Sequence, residues 1–272
     1  RYYEYQITQG YILKDYTAKK IAKRLGLLVS DVRLVELYIN GYSSGIYIER
    51  DRLNENFLRR NKIMPINLYK GEPYNNENKI GLDSDLYNNS GLWSKLAYFN
   101  YMKDDDKSDL SDFLNRLRKA DNSFENLNKI FGYTNADIWS NASIFQILTQ
   151  GDISNYTHNA RLAIDPWSGR VHLVPHDVRF NSVNIKAKDI VLDRSNNLLF
   201  QALNRSSYFI NLKYTKLFNL LNRDRILSKE AKLLEKLKPK ILTSQKRDIG
   251  LIQQKYYGKT DNKNYVNELD QF

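Results

Sequence analysis

The chain has 272 residues, no cysteine and a formal net charge of +11. The lack of cysteine excludes disulfides, thiolate metal sites and cysteine nucleophiles. The length suits one large domain or two small lobes, and the positive balance favours acidic partners: nucleotides, acidic or phosphorylated proteins, nucleic acid or anionic surfaces.

In chain order, Thr17 to Leu27 reads as a helix. Ala18, Ile21, Ala22 and Leu25 recur on one face at helical spacing, and Gly26 ends the run. Val32 to Ile39 is rich in β-formers, and Asn40-Gly41 after it favours the positive φ angles of a tight hairpin. Ile46 to Ile48 is the return strand. A short helix is expected over Leu53 to Arg60, a short strand over Asn67 to Lys70, and a polar loop from Gly71 to Ser90. Helices are then expected at Leu92 to Met102, Ser108 to Ala120, Asn122 to Phe131 and Asp137 to Leu148, with Asp112 and Asn122 near helix starts. One hairpin follows, Ala160 to Ile164 and Arg170 to Val174, around the turn formers Asp165 to Gly169. Helical periodicity returns after Asp177 and lasts to about Tyr257.

Charge is unevenly placed. Asp104, Asp105, Asp106, Asp109 and Asp112 form an acidic patch, and Lys213 to Lys259 is rich in Lys and Arg. The basic stretch reads first as solvated helix faces. No apolar run reaches the roughly 18–20 residues of a membrane span. Asn-x-Ser/Thr triplets stand at Asn88, Asn141, Asn155 and Asn204, a number chance supplies in an Asn-rich chain.

Two segments carry candidate chemistry. Gly151-Asp152-Ile153-Ser154-Asn155-Tyr156-Thr157-His158-Asn159 follows a helix, and Val174-Pro175-His176-Asp177 follows the second hairpin strand. Phosphoryl transfer needs a carboxylate beside the incoming hydroxyl and oxygen ligands, commonly Asp plus Asn, for a metal on the phosphates. Asp152 and Asp177, 25 positions apart with a hairpin between them, fit that plan. Each segment alone reads equally as a turn former or a loop-satisfying amide. His158 and His176 with Asp152 and Asp177 are adequate zinc ligands by type, but their spacing matches no helical zinc motif.

An ordered set of short motifs resembles the CotH (spore-coat protein H) family of secreted, atypical protein kinases. Asn40-Gly41-Tyr42 with Gly45-Ile46-Tyr47-Ile48-Glu49 resembles the family's "NG-x-Y-x-G-x-Y-x-x-x-E" hairpin, with one residue inserted before Gly45. Phe57-Leu58 and Leu68-Tyr69-Lys70 resemble the following helix and "L-Y-K" strand. His158-Asn159, Asp165-Pro166, Ser168-Gly169-Arg170 and Pro175-His176-Asp177 resemble the core "D-G-x-x-H-N … D-P-x-T-G-x … P-W-D-x-D". The matches run in order from about residue 16 to residue 182.

The resemblance implies an α+β, two-lobed, protein-kinase-like fold. A small αβ N-lobe would span residues 1–72, and a mostly helical C-lobe with catalytic loop and metal hairpin would span 91–272. It implies transfer of the ATP γ-phosphate to Ser or Thr of a secreted or surface protein. Asp152 would be the catalytic carboxylate. Asn159 and Asp177 would hold Mg²⁺ or Mn²⁺. Glu49, Lys70 and His158 would border the nucleotide. Glu49 reads equally as a surface salt-bridge partner, and Lys70 as an exposed strand lysine. The implied partners are a nucleotide and a protein substrate or a coat or surface component, with an extracytoplasmic location; nucleic acid is not expected.

Departures keep a second reading open. His176 stands where the family has Trp, and Arg179 where it has the second Asp of "D-x-D". Two extra residues separate Asp152 from Asn159. The strand lysine that grips the α- and β-phosphates is not identifiable. The alternative is a catalytically weak or inactive coat or surface protein acting in adhesion or assembly.

Overall fold

The structure, a computed structural model, describes residues 2–4, 11–71, 85–99, 105–120, 124–149, 159–176, 198–223, 225–245 and 247. It is α+β. The elements are β1 (Tyr2–Glu4), α1 (Tyr11–Arg24), β2 (Val32–Ile39), β3 (Tyr42–Arg50), α2 (Glu55–Arg60), β4 (Asn67–Gly71), β5 (Trp93–Ala97), α3 (Ser108–Ala120), α4 (Phe124–Tyr133), α5 (Ala136–Thr149), β6 (Ala160–Asp165), β7 (Arg170–Leu173), α6 (Leu198–Leu203), α7 (Ser207–Asn222) and α8 (Ile226–Gln245). Two antiparallel sheets form among the described residues, in the orders β1-β3-β2 and β5-β4-β6-β7.

The first hairpin turns where the sequence predicts. Ile39 pairs with Tyr42 across Asn40 and Gly41, whose φ angles are 51° and 83°. Two successive positive φ values match the right-handed twist of the flanking strands. No atom lies within 4 Å of a Cβ built on Gly41, so a side chain there meets backbone strain alone. Gly41→Ala should therefore destabilise by about 1–2 kcal/mol. Gly132→Ala, within α4 and equally free of neighbours, should stabilise through the unfolded state. Thermal melts of the pair check this: Tm falls by a few degrees for the first and rises for the second.

Three expectations are corrected. Residues 92–97 do not begin a helix: a single 3₁₀ turn at Ser90–Leu92 leads into β5. Trp93 is buried, its indole N–H donates to the Leu86 carbonyl at 2.7 Å, and the backbone is drawn onto the edge of β4. Tertiary pairing overrides the local helical pattern here. Asp112 is the fifth residue of α3 rather than a cap, and it pairs with Arg116 one turn on at 2.9 Å. Its neighbour Asp109 leaves the acidic patch for the interior: it accepts from the Tyr69 hydroxyl at 2.5 Å and the Asn67 amide at 2.8 Å, tying α3 to β4. Lys213 is not on a solvated face. It is fully buried, donates to Asn204 Oδ1 at 2.8 Å and lies over the Phe209 and Tyr214 rings. Lys229, Lys232, Lys236 and Lys240 of α8 are exposed, as the periodicity predicts. Asn122 and residues 72–84 lie outside the described residues.

The largest apolar cluster joins Ala18, Ile21 and Ala22 of α1 to Tyr69 of β4, Trp93 of β5 and the inner faces of α3 to α6. A second cluster packs α8 (Leu233, Leu234, Leu237, Ile241) onto α1 (Leu13, Tyr16) and the hairpin (Val32, Ile46, Ile48). A third lies under α2, where Phe57 and Leu58 meet Leu68, Ala163 and Val174. Because β4 pairs with β6, one sheet contains strands from both sides of the 72–91 interval. The described helices include none long and apolar enough to cross a membrane.

Candidate functional site

Three elements end at one place. β3 ends at Arg50, and Asp51 and Arg52 continue from it. β4 presents Lys70. β6 presents Arg161, beside which β7 runs out into Val174, Pro175 and His176. The Val174 amide donates to the Arg161 carbonyl at 3.0 Å and so fixes the exit of β7 beside β6. Helix α1 closes the fourth side with Lys19.

Lys19, Arg50, Asp51, Arg52, Lys70, Arg161 and His176 line a cavity of about 360 Å³. Among the described residues its charged lining is Lys19, Arg50, Arg52, Lys70, Arg161 and one carboxylate, Asp51, which pairs outward with Arg60. Lys70 and Arg161 are direct cross-strand partners in the β4–β6 ladder. Lys19 is buried, and its Nζ lies 2.5 Å from both carboxylate oxygens of Asp15, one helical turn earlier. His176 has its imidazole pKa pushed down to about 2, by burial first and then by the positive charges of Arg161, Arg50, Lys19 and Lys70. The ring is therefore neutral at physiological pH, and the field it senses is cationic.

A smaller cavity of about 130 Å³ adjoins the first and shares Arg50 and Asp51 with it. It is mixed in sign, with Lys20, Arg33, Asp31 and Glu49 in its wall. Glu49 is buried and pairs with the exposed Arg33.

The sequence-predicted residues are distributed as follows. Lys70 lines the larger cavity and Glu49 the smaller one, so the two stand on adjoining walls. Lys70 is half-buried, not an exposed strand lysine. Asn159 precedes β6 with φ 57°, in the left-handed region that Asn tolerates better than most residues. Asp152, His158, Asp177 and Arg179 lie outside the described residues. Among the described residues no three His, Cys, Asp or Glu side chains gather to hold a metal.

Sequence reasoning missed Lys19, Arg50 and Arg161. Arg161 carried a readable signal: it is a lone charge in the apolar strand Ala160–Ile164, where burial on both faces is expected. Lys19 carried a weaker one, an Asp four residues earlier on a helix. Arg50 carried none.

Over residues 5–272 the chain matches the family model described as CotH kinase protein. The chain belongs to the CotH kinase family. The match takes in β3, β4 and β6, whose residues line the cationic cavity. No curated protein matches the sequence.

Proposed function

We propose that this CotH chain is a protein kinase that transfers the γ-phosphate of ATP, with Mg²⁺ or Mn²⁺, to a Ser or Thr of an extracytoplasmic protein. The observation that carries the reading is the cationic cavity ending at His176, the residue before Asp177. A nucleotide's phosphates carry several negative charges, and five cations on four elements suit them. The charged lining thus fits the triphosphate, and the donor types of Asn159 and Asp177 fit a hard divalent ion.

When bound, the metal nucleotide supplies the phosphoryl group and spreads its charge. The protein's part is placement and charge complementarity. In this reading Asp152 orients the acceptor hydroxyl and accepts its proton. Asn159 and Asp177 ligate the metal. Lys70 meets phosphate, and Glu49 and His158 border the nucleotide. The lobes of a kinase-like arrangement would be residues 1–72 and 91–272, joined through the β4–β6 ladder, with the cavity bordered by β3 on one side and by β4 and β6 on the other. The family's association with spore coats and surfaces supports an extracytoplasmic location.

The alternative, an adhesion or assembly component with little or no catalysis, is favoured by one observation: Arg179 stands where the family places a carboxylate. Calorimetry with ATP and Mn²⁺, followed by radiolabel transfer to the chain itself and to a Ser-rich test protein, separates the two. Binding with transfer supports the kinase. Binding without transfer, with transfer restored by Arg179→Asp, supports the inactive relative. A wild-type chain that never binds nucleotide leaves only the adhesion reading.

A further inference from the structure

Helix α8 carries a row of exposed cations along its length: Arg225 just before it, then Lys229, Lys232, Lys236 and Lys240, and Arg247 just beyond it. At about 100° and 1.5 Å per residue, Lys229 to Lys240 fall within a stripe about 80° wide and about 17 Å long. Each stands three or four places from the next, so the row is a run of like-charge neighbours, an arrangement that weakens a helix. Other surface helices of the chain do the opposite: Asp112 pairs with Arg116 on α3, and Glu125 with Lys129 on α4. Between Arg225 and Arg247 the acids are Glu230 and Glu235. Glu230 is buried and pairs with Arg24, and Glu235 falls to one side of the stripe. At its C-terminal end α8 reaches the tip of the first hairpin, where Ser244, Tyr38 and Arg247 surround the Glu36 carboxylate. Past that point the hairpin holds out Tyr38, Ile39 and Tyr42, which are 52 %, 54 % and 66 % exposed.

We infer that the α8 ridge and the β2–β3 hairpin tip form one docking face for an anionic lipid bilayer. The lysines lie over the headgroups, where each cation close to a negative surface adds to binding. Ile39 and the two tyrosines enter the boundary between headgroups and hydrocarbon, the level at which amphipathic aromatic rings settle. The apolar side of α8 is already spent on Leu13, Tyr16, Ile46 and Ile48, so the helix rests on the surface and does not sink into it. The tip decides between a bilayer and a nucleic acid. Phosphodiesters need only the cations, and they leave an aliphatic residue at the apex of a turn without a role, whereas a bilayer uses charge and apex together. The inference is independent of the kinase reading, because none of these residues lines the larger cavity.

The test is co-sedimentation of the full chain with vesicles of phosphatidylcholine alone and of phosphatidylcholine mixed with phosphatidylglycerol, with no nucleotide present. Wild type should bind the mixed vesicles, release them as salt rises, and leave the neutral ones in solution. Lys232→Gln, Lys236→Gln and Lys240→Gln together should lower partitioning by about a hundredfold, at about fivefold for each cation near the surface. Arg59→Gln, Lys119→Gln and Lys129→Gln together remove the same charge from exposed positions on other helices and should change it by less than about threefold, since attraction fades within a Debye length. Ile39→Thr with Tyr42→Thr should lower it about tenfold, through lost apolar burial, while the residual binding keeps its salt dependence. If that double variant fails to fold, as its melting curve would show, Tyr42→Thr alone makes the comparison. Equal losses in the two triple variants would reduce the effect to net charge and overturn the inference. So would wild type that ignores phosphatidylglycerol, or a tip variant that binds the mixed vesicles as wild type does. Duplex DNA competing fully with vesicles for wild type, with no effect of the tip variant on either ligand, would assign the ridge to nucleic acid instead.

Discussion

Asp152→Ala should lower phosphoryl transfer by about 10²–10⁴-fold, the usual contribution of a general base, while ATP still raises the melting temperature. The separation of the two readouts is the point. A carboxylate that orients the acceptor hydroxyl touches the reacting oxygen and not the nucleotide's phosphates, which in the proposed reading would meet the cationic cavity lined by α1, β3, β4 and β6. Transfer of radiolabel from γ-labelled ATP gives the first quantity, and a thermal shift with ATP and Mn²⁺ gives the second. Retained transfer in Asp152→Ala would remove that residue from the mechanism. Loss of both signals together would place it in nucleotide binding or in the fold.

Asp177→Asn should weaken metal-dependent ATP binding by at least about tenfold, since an amide keeps the shape of a carboxylate but not the charge a divalent ion needs. Val174 is hydrogen-bonded to β6, and His176 is half-buried in the cavity wall that also holds Arg161, Arg50, Lys19 and Lys70. In the proposed reading, Asp177 would ligate the divalent ion that accompanies the nucleotide's phosphates. Calorimetry with and without Mn²⁺ resolves the difference. Asp177→Asn should lose the metal-dependent part of the affinity and keep the metal-independent part. Unchanged affinity in Mn²⁺ would reject the metal assignment.

Where local chemistry dictates geometry, the fold was legible. Asn40-Gly41 needs positive φ and obtains it; the Asp165–Gly169 turn closes β6 onto β7, with Gly169 at φ 66°. The amphipathic pattern of residues 108–120 gives α3 to the residue, because one apolar stripe (Leu110, Phe113, Leu114, Leu117) decides both its limits and its facing. Where the deciding partner is distant in sequence, the reading failed. Trp93 begins a strand because β4 offers it an open edge and Leu86 a carbonyl. Lys213 is a different case: Asn204 and the two aromatic rings that receive it lie within nine residues, but the burial of that face of α7 is set by tertiary packing.

The site divides along the same line. Lys70 and Glu49 were identified through ordered motifs, which carry information about whole neighbourhoods. Lys19, Arg50 and Arg161 share no motif. They become a group only when a helix, two sheets and a strand exit converge, and no spacing rule along the chain records that convergence.

Helix α8 has a consequence for how the protein is made. Its apolar side covers Leu13, Tyr16, Ile46 and Ile48, and its Glu230 pairs with Arg24, 206 residues earlier. The hairpin that leads to Arg50 is therefore translated early and sheltered late. During synthesis, at about 5–20 residues per second, its oily side stays uncovered until residues near 241 clear the ribosome. Throughout that interval the nascent chain offers a sticky β-surface, which a folding helper or a neighbouring copy can occupy. A gene fragment stopped before residue 226 would freeze the molecule at that stage.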